Sequence, residues 1–190
     1  MDLDIYKEII RERLTPKRYE HSLNVSEEAM RLAKRYGANV EKAAIAGILH
    51  DIMKDTPVDE QLKLITEFGT ILTEVQKVSS KLLHAISGAL YIENVLKIKD
   101  KDILNAVRYH TTSRPNMSKL EKVVFIADFT SSERDYNGVD IMRNAANESL
   151  EKAMLEGLSF TLSDLASRKL PIDENTFFSY NEIILSNERN

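Results

Sequence analysis

Apolar residues recur along most of this chain at the three- and four-residue steps of a helix, and almost nowhere at the two-residue step of a strand. A first amphipathic helix is predicted over about 3–14. Thr15-Pro16 opens a second, with Thr as N-cap and Pro at the first helical position. Along it His21, Val25, Ala29, Leu32 and Tyr36 share one face, and Gly37 ends it. Asn39 caps a third helix, VEKAAIAGILHDIMK. Thr56-Pro57 repeats the cap-and-proline signal before a helix near 58–68, and a shorter piece follows at 71–77. Ser79 or Ser80 starts a helix to about 97, and Asp100 one to about 110. The segment TTSRPNMS at 111–118 reads as a loop. It closes in Ser118-Lys119-Leu120-Glu121, a capping box in which the third-position Glu reaches back to the cap. That helix runs to about Ser131. After a loop with Gly138, helices are predicted at roughly 139–147, 148–168 and 174–187, with a break at Lys169-Leu170-Pro171.

The pattern predicts an all-α fold, one compact multi-helix domain over 1–190, with the helices of about 148–187 flanking a cleft. Composition sharpens this. Only 6 Gly and 4 Pro in 190 positions disfavour a turn-rich β-sandwich or barrel. There is no Cys, which excludes disulfide scaffolds, iron–sulfur clusters and cysteine nucleophiles, so any metal must be held by His, Asp and Glu. Net charge is −4, with 19 Lys/Arg against 17 Asp/Glu in 1–120 and 7 against 13 in 121–190. With no basic block, a nucleic-acid polymer is a poor partner. No apolar run approaches the roughly 18 residues of a membrane span. The start, MDLDIYKEIIRERL, lacks the basic-then-apolar pattern of a signal peptide, so the expectation is a cytoplasmic protein.

The chemistry gathers on four histidines, His21, His50, His84 and His110, each on the apolar side of a predicted helix or at its end. Asp51 follows His50 directly, and Asp128 stands inside the greasy helix KVVFIADFT. A carboxylate there is costly to bury without a metal or cation beside it. His84 shares its face with Ser87, Gly88 and Tyr91. Singly, each histidine fits an ordinary hydrogen-bonded core residue. Together, four imidazoles and two acids converging from five helices are how a bundle builds a metal centre. His50 and Asp51 can both ligate only where the metal sits at a helix end or kink. Imidazole and carboxylate donors suit iron, manganese, zinc or cobalt, and such a metal brings the pKa of its water toward about 7. Lys54, one turn after His50, Arg114, just after His110, and Arg134, six residues past Asp128, are phosphate-compatible cations.

The order H…HD…H…H…D resembles the HD-domain metal-dependent phosphohydrolases. More specifically, AGILHDIMKD, YHTTSRPNMSKLEKVVFIADF and SERDYNGVDIMRNAA are similar to the YqeK family, symmetrical diadenosine tetraphosphate hydrolases, over about residues 14–180. The resemblance implies an iron-type centre of one or two ions on His21, His50, Asp51 and Asp128, with manganese, cobalt or zinc as the other candidates. It implies that His84 and His110 face the substrate phosphates or a second metal. It also puts Arg134 and the break near 167–172, with Arg168, beside the nucleotide. The expected reaction is hydrolysis of diadenosine tetraphosphate to two ADP by a metal-activated water, with Asp51 as ligand and base. His84, His110, Lys54, Arg114 and Arg134 would neutralise phosphoryl charge. The implied partner is thus a small dinucleoside polyphosphate or ADP, neither a polymer nor a membrane; a homodimer stays open. Two positions depart from the family pattern: Ser113, usually Gly, and Thr130-Ser131-Ser132, usually an Ile-Glu-Pro-like run.

Three rivals stay open: an HD-type nucleotidase acting on another nucleotide, a non-catalytic nucleotide-binding HD module, and a helical protein-interaction domain that binds no metal. The alarmone-hydrolase branch carries Glu-Asp where Lys54-Asp55 stand, and the Gly-Tyr-Pro motif of the cyclic-dinucleotide branch is missing.

Overall fold

A computed structural model describes residues 3–187. Among them lie eleven helices and no strand: α1 (Asp4–Arg13), α2 (Pro16–Tyr36), α3 (Val40–Leu49), α4 (Val58–Glu67), α5 (Glu74–Val78), α6 (Ser80–Asn94), α7 (Lys101–Tyr109), α8 (Lys119–Thr130), α9 (Val139–Glu148), α10 (Leu150–Ser167) and α11 (Glu174–Asn187). The all-α reading holds.

Helix ends follow their local signals. Gly37 turns the chain left-handed at φ 71° and stops α2. Asn39 accepts from the Lys42 amide to start α3, and Ser118 and Glu121 form both halves of the capping box of α8. Thr15 occupies the N-cap of α2 with Pro16 behind it, as expected, without a capping bond of its own. Its amide and hydroxyl both donate to Asp55, at 2.8 and 2.9 Å, across the fold. The expected helix to Lys54 stops at Leu49, because the chain tightens there: the amides of Ile52 and Lys54 reach back only three residues, to Leu49 and Asp51. The helix expected to about 97 stops at Asn94, and Lys97 turns left-handed at φ 59°.

One apolar core runs from Ile10 on α1 to Ile183 on α11, with Leu32, Leu49, Phe125 and Met154 fully enclosed. Its centre is the stack of α3, α7 and α8 against α2 and α6. Gly47 permits the tightest crossing. A Cβ there would stand 2.7 Å from the Ser26 Cα on α2. This close approach brings the end of α3 into the middle of the bundle.

Candidate metal centre

Five helices deliver six side chains to one point. His21 comes from α2, His50 and Asp51 from the turn ending α3, His84 from α6, His110 from the end of α7 and Asp128 from α8. The rings form a row in the order His21, His50, His110, His84, with centroid steps of 5.1, 5.0 and 5.1 Å. All four imidazoles and Asp51 are buried; Asp128 is partly buried.

The early end of α3 matters here. In a continuing helix, adjacent residues point 100° apart. The turn lets His50 and Asp51 face the same centre.

Three of the rings are oriented alike. The Nδ1 of His50 lies 2.7 Å from the Gly47 carbonyl, that of His84 2.7 Å from Lys81, and that of His110 2.8 Å from Val107. A carbonyl only accepts, so each Nδ1 carries the proton and each Nε2 presents a lone pair inward. The fourth ring, His21, is oriented by Glu133 at Nδ1 and lies 3.0 Å from Asp128 Oδ1 at Nε2. Glu133 is itself held by the Ser131 hydroxyl at 2.9 Å. This is the outer support that metal-ligating histidines regularly have.

The donors fit a divalent metal. His50 Nε2 and Asp51 Oδ1 are buried without a hydrogen-bond partner. His84 Nε2 is 3.1 Å from Asp51 Oδ1 and His110 Nε2 3.5 Å, close but outside hydrogen-bond geometry. Three donor triads fall within 4.8 Å: His21, His50 and Asp51; His50, His110 and Asp128; Asp51, His84 and His110. Burial pushes His50 down to about 3 and His84 down to about 4, so both are neutral, the form a metal binds. Burial works against charge on Asp51 and Asp128, but the imidazoles and nearby cations win and hold both well below the usual carboxylate range. His21 is also buried, yet its bonds to Asp128 and Glu133 raise it.

Cations surround the cluster. Lys54 Nζ stands 3.0 Å from His84 Nε2 and 3.6 Å from Asp51 Oδ1; burial lowers its pKa. Arg134 grips Asp128 through both its carbonyl, at 2.7 Å, and its carboxylate. Arg114 is different. Its guanidinium closes on the buried Glu121 at 2.6 and 3.0 Å, so in this structure it is tied to the capping box of α8. The attraction of a buried carboxylate in reach of the loop decides this. Arg168 pairs with Asp164 at 3.0 Å and lines a cavity of about 360 Å³ with Thr111, Leu165, Pro171 and Thr176. Thr111 joins that cavity to the row, its hydroxyl 3.1 Å from His110 Nε2 and 3.4 Å from His84 Nε2. From α10 and α11, Thr161, Leu165 and Thr176 line this cavity.

Three site residues escaped sequence reasoning. Arg18 Nη1 is 3.2 Å from Asp51 Oδ2; its place three residues before His21, on the same face of α2, was the available signal. Glu133 and Thr111 lie in the SERDYNG and YHTTSRP segments that carry the family resemblance, but their residue type and spacing gave no sign of a site role.

The chain is similar to known proteins in both sequence and fold. The HD domain family matches residues 18–132. Over 178 residues the chain is 38% identical to a symmetrical bis(5'-nucleosyl)-tetraphosphatase of Halalkalibacterium halodurans, covering 94% of this chain and 95% of that one. A Bacillus subtilis protein of the same description is 35% identical over 92% of this chain and 94% of its own. In three dimensions the chain is similar to a Clostridium acetobutylicum protein described as a predicted HD superfamily hydrolase involved in NAD metabolism. That likeness has a TM-score of 0.94 and 37% identity, over 100% of this chain and 99% of the other.

Proposed function

The chain belongs to the HD domain family, and on that premise we propose that it is a metal-dependent symmetrical bis(5'-nucleosyl)-tetraphosphatase that hydrolyses diadenosine tetraphosphate to two ADP. One observation carries the reading: a complete, buried set of four imidazoles and two carboxylates, with His50 Nε2 and Asp51 Oδ1 left without partners at its centre. A non-catalytic module has no need of so complete a set, and relatives matched nearly end to end are named for this activity.

His21, His50, Asp51 and Asp128 are the proposed metal ligands, with His84 and His110 facing the phosphates or a second ion. Imidazole and carboxylate donors suit iron, and we take one or two irons as the metal. Bound there, the metal supplies Lewis-acid polarisation of a phosphoryl oxygen and an acidified water.

The protein's own groups do the rest. Asp51 Oδ1 faces His84 and His110 and can accept the proton of the attacking water. Lys54, held at the His84 end, offers a point charge to a phosphoryl oxygen, and Arg134 a planar fork at the other end. His84 and His110, oriented by the Lys81 and Val107 carbonyls, turn Nε2 lone pairs inward and would hold a second ion facing the phosphates. The cavity beside Thr111 and Arg168 takes one nucleoside, with apolar walls from Leu165 and Pro171.

The chain is read as one helical domain whose 148–187 segment flanks the cleft. The absence of a basic block supports a small nucleotide over a polymer, and a cytoplasmic setting is part of the proposal. No helix among the described residues is long and apolar enough to cross a membrane.

The test is anaerobic purification with metal analysis, then incubation with diadenosine tetraphosphate and chromatography of the products. ADP alone, with about one or two irons per chain, is expected. ATP plus AMP would overturn the symmetrical cut, and bound metal without turnover would favour another nucleotide.

A further inference from the structure

A symmetrical cut makes a geometric demand. Breaking a tetraphosphate at its middle releases equal halves, so one nucleoside diphosphate must lie on each side of the reacting phosphorus. The cavity beside His84 and Thr111 accommodates one half. At the opposite end of the imidazole row, beyond His21, a second cavity of about 410 Å³ opens. Its walls include Lys17, Arg18, Arg134 and Tyr136. Resting on the hydrolase reading above, we propose that this His21-end cavity is the second nucleoside diphosphate half-site. In it Arg18 and Arg134 meet the phosphates, and Tyr136 with Phe160 forms the wall for the base.

The chemistry of the walls supports this. Arg18 pairs with Asp51 through Nη1, at 3.2 Å, and lies 3.8 Å from Asp55 through Nε, while Arg134 holds Asp128. Both side chains remain more than a third exposed, at 38% and 36%. A guanidinium has five donors in a rigid fork, so each has donors to spare for a phosphate while staying anchored to the centre. Of the acids on the same wall, Glu133 is occupied by His21 and Ser131, and Asp135 is exposed.

Aromatic surface continues from the cations. Tyr136 stands 5.2 Å from Phe160, which stands 6.2 Å from Phe129. The Tyr136 hydroxyl donates to the Phe129 carbonyl at 3.2 Å and fixes the ring. Phe160 is 48% exposed, and the groove it lines shares Tyr136 with the cationic cavity. An adenine stacked there would cover apolar surface that the fold leaves bare, and base–aromatic stacking tolerates any base. The two half-sites are thus unlike: Thr111, Leu165 and Pro171 with Arg168 at the His84 end, Arg18 and Arg134 with aromatic rings at the His21 end.

ADP is the probe. Equilibrium dialysis of the metal-loaded wild-type protein is expected to resolve two ADP sites per chain, and Tyr136→Ala to weaken one of them about 10-fold while the other keeps its affinity. Tyr136→Phe keeps the ring and is expected to keep both. In turnover, Tyr136→Ala should raise KM for diadenosine tetraphosphate by about 10-fold, the scale of one lost stacking contact, with kcat nearly unchanged. One ADP site per wild-type chain, or two sites of unchanged affinity on Tyr136→Ala, overturns the half-site. Wild-type protein that fails to cleave the dinucleotide overturns the activity reading instead, and the ADP count still decides the half-site.

Discussion

His50 shows how much a single side chain carries at this site. It is fully buried, its Nδ1 is committed to the Gly47 carbonyl, and its Nε2 has no partner except what the cluster binds. His50→Ala is therefore expected to lose both metal and turnover, read by metal analysis and product chromatography on the same sample. Glu133 acts one bond further out, by holding the His21 ring. Glu133→Gln keeps that side chain's shape but weakens the support, so about a 10–100-fold loss in metal affinity is expected from titration. A loss as complete as that of His50→Ala would mean that Glu133 is itself a ligand. Ser113 shows a different residue-scale effect. It is fully buried, in the loop just after His110, at φ 59°, a conformation that favours glycine. Ser113→Gly relieves the left-handed strain and gives back part of it as unfolded-chain entropy, so thermal unfolding should show a net gain of about 0.5–1 kcal/mol. A loss of stability would show that the serine hydroxyl, which donates to the Thr112 carbonyl, outweighs the strain.

At the scale of elements, the crossing of α2 and α3 sets the site. Each carries part of the cluster, and Gly47 lets them meet. A Cβ at position 47 would meet backbone on α2, which cannot swing aside as a side chain can. Gly47→Ala should therefore cost about 1–3 kcal/mol of stability and move His50, three residues on, from its place. Denaturant unfolding and metal content should fall together. Full metal occupancy in a destabilised variant would separate the crossing from the site. The loop 111–118 makes a second element-scale point. Its arginine looks like a phosphate ligand by position, yet it serves the start of α8 through Glu121, which is 1% exposed. The C-terminal helices join the loop through another buried contact, the Thr176 hydroxyl donating to the Thr112 carbonyl at 2.8 Å.

For the whole molecule, the consequence is a charged centre enclosed by apolar helices, and its stability must depend on pH. In the metal-free chain His50 and His84 are held at about 3 and 4 against an ordinary 6.5. Between those limits they are neutral when folded and charged when unfolded. Their contribution is present above 6.5 and is lost as pH falls toward the folded values. The lowered Asp51 and Asp128 act in the same direction at still lower pH, while the raised His21 opposes them, favouring the fold below 6.5. The chelator-treated protein should thus show a denaturant midpoint that falls steadily from pH 7 to 4. A flat profile would mean that the buried histidines gain charge without cost. What the sequence determined by itself was the local half of this design. Periodicity, caps and prolines place the helices to within a few residues, and buried-face histidines with an acid in a greasy helix mark a metal centre. These signals are legible because they act over one or two turns. What only the tertiary structure decided lies between elements. The tightened turn that aims His50 and Asp51 together, the capture of Arg114 by Glu121 and the arrival of Arg18, Glu133 and Thr111 at the cluster depend on which helices touch. Such choices are made by close packing and by the need of each buried charge for a partner, and partners such as His21 and Glu133 stand 112 residues apart in the chain.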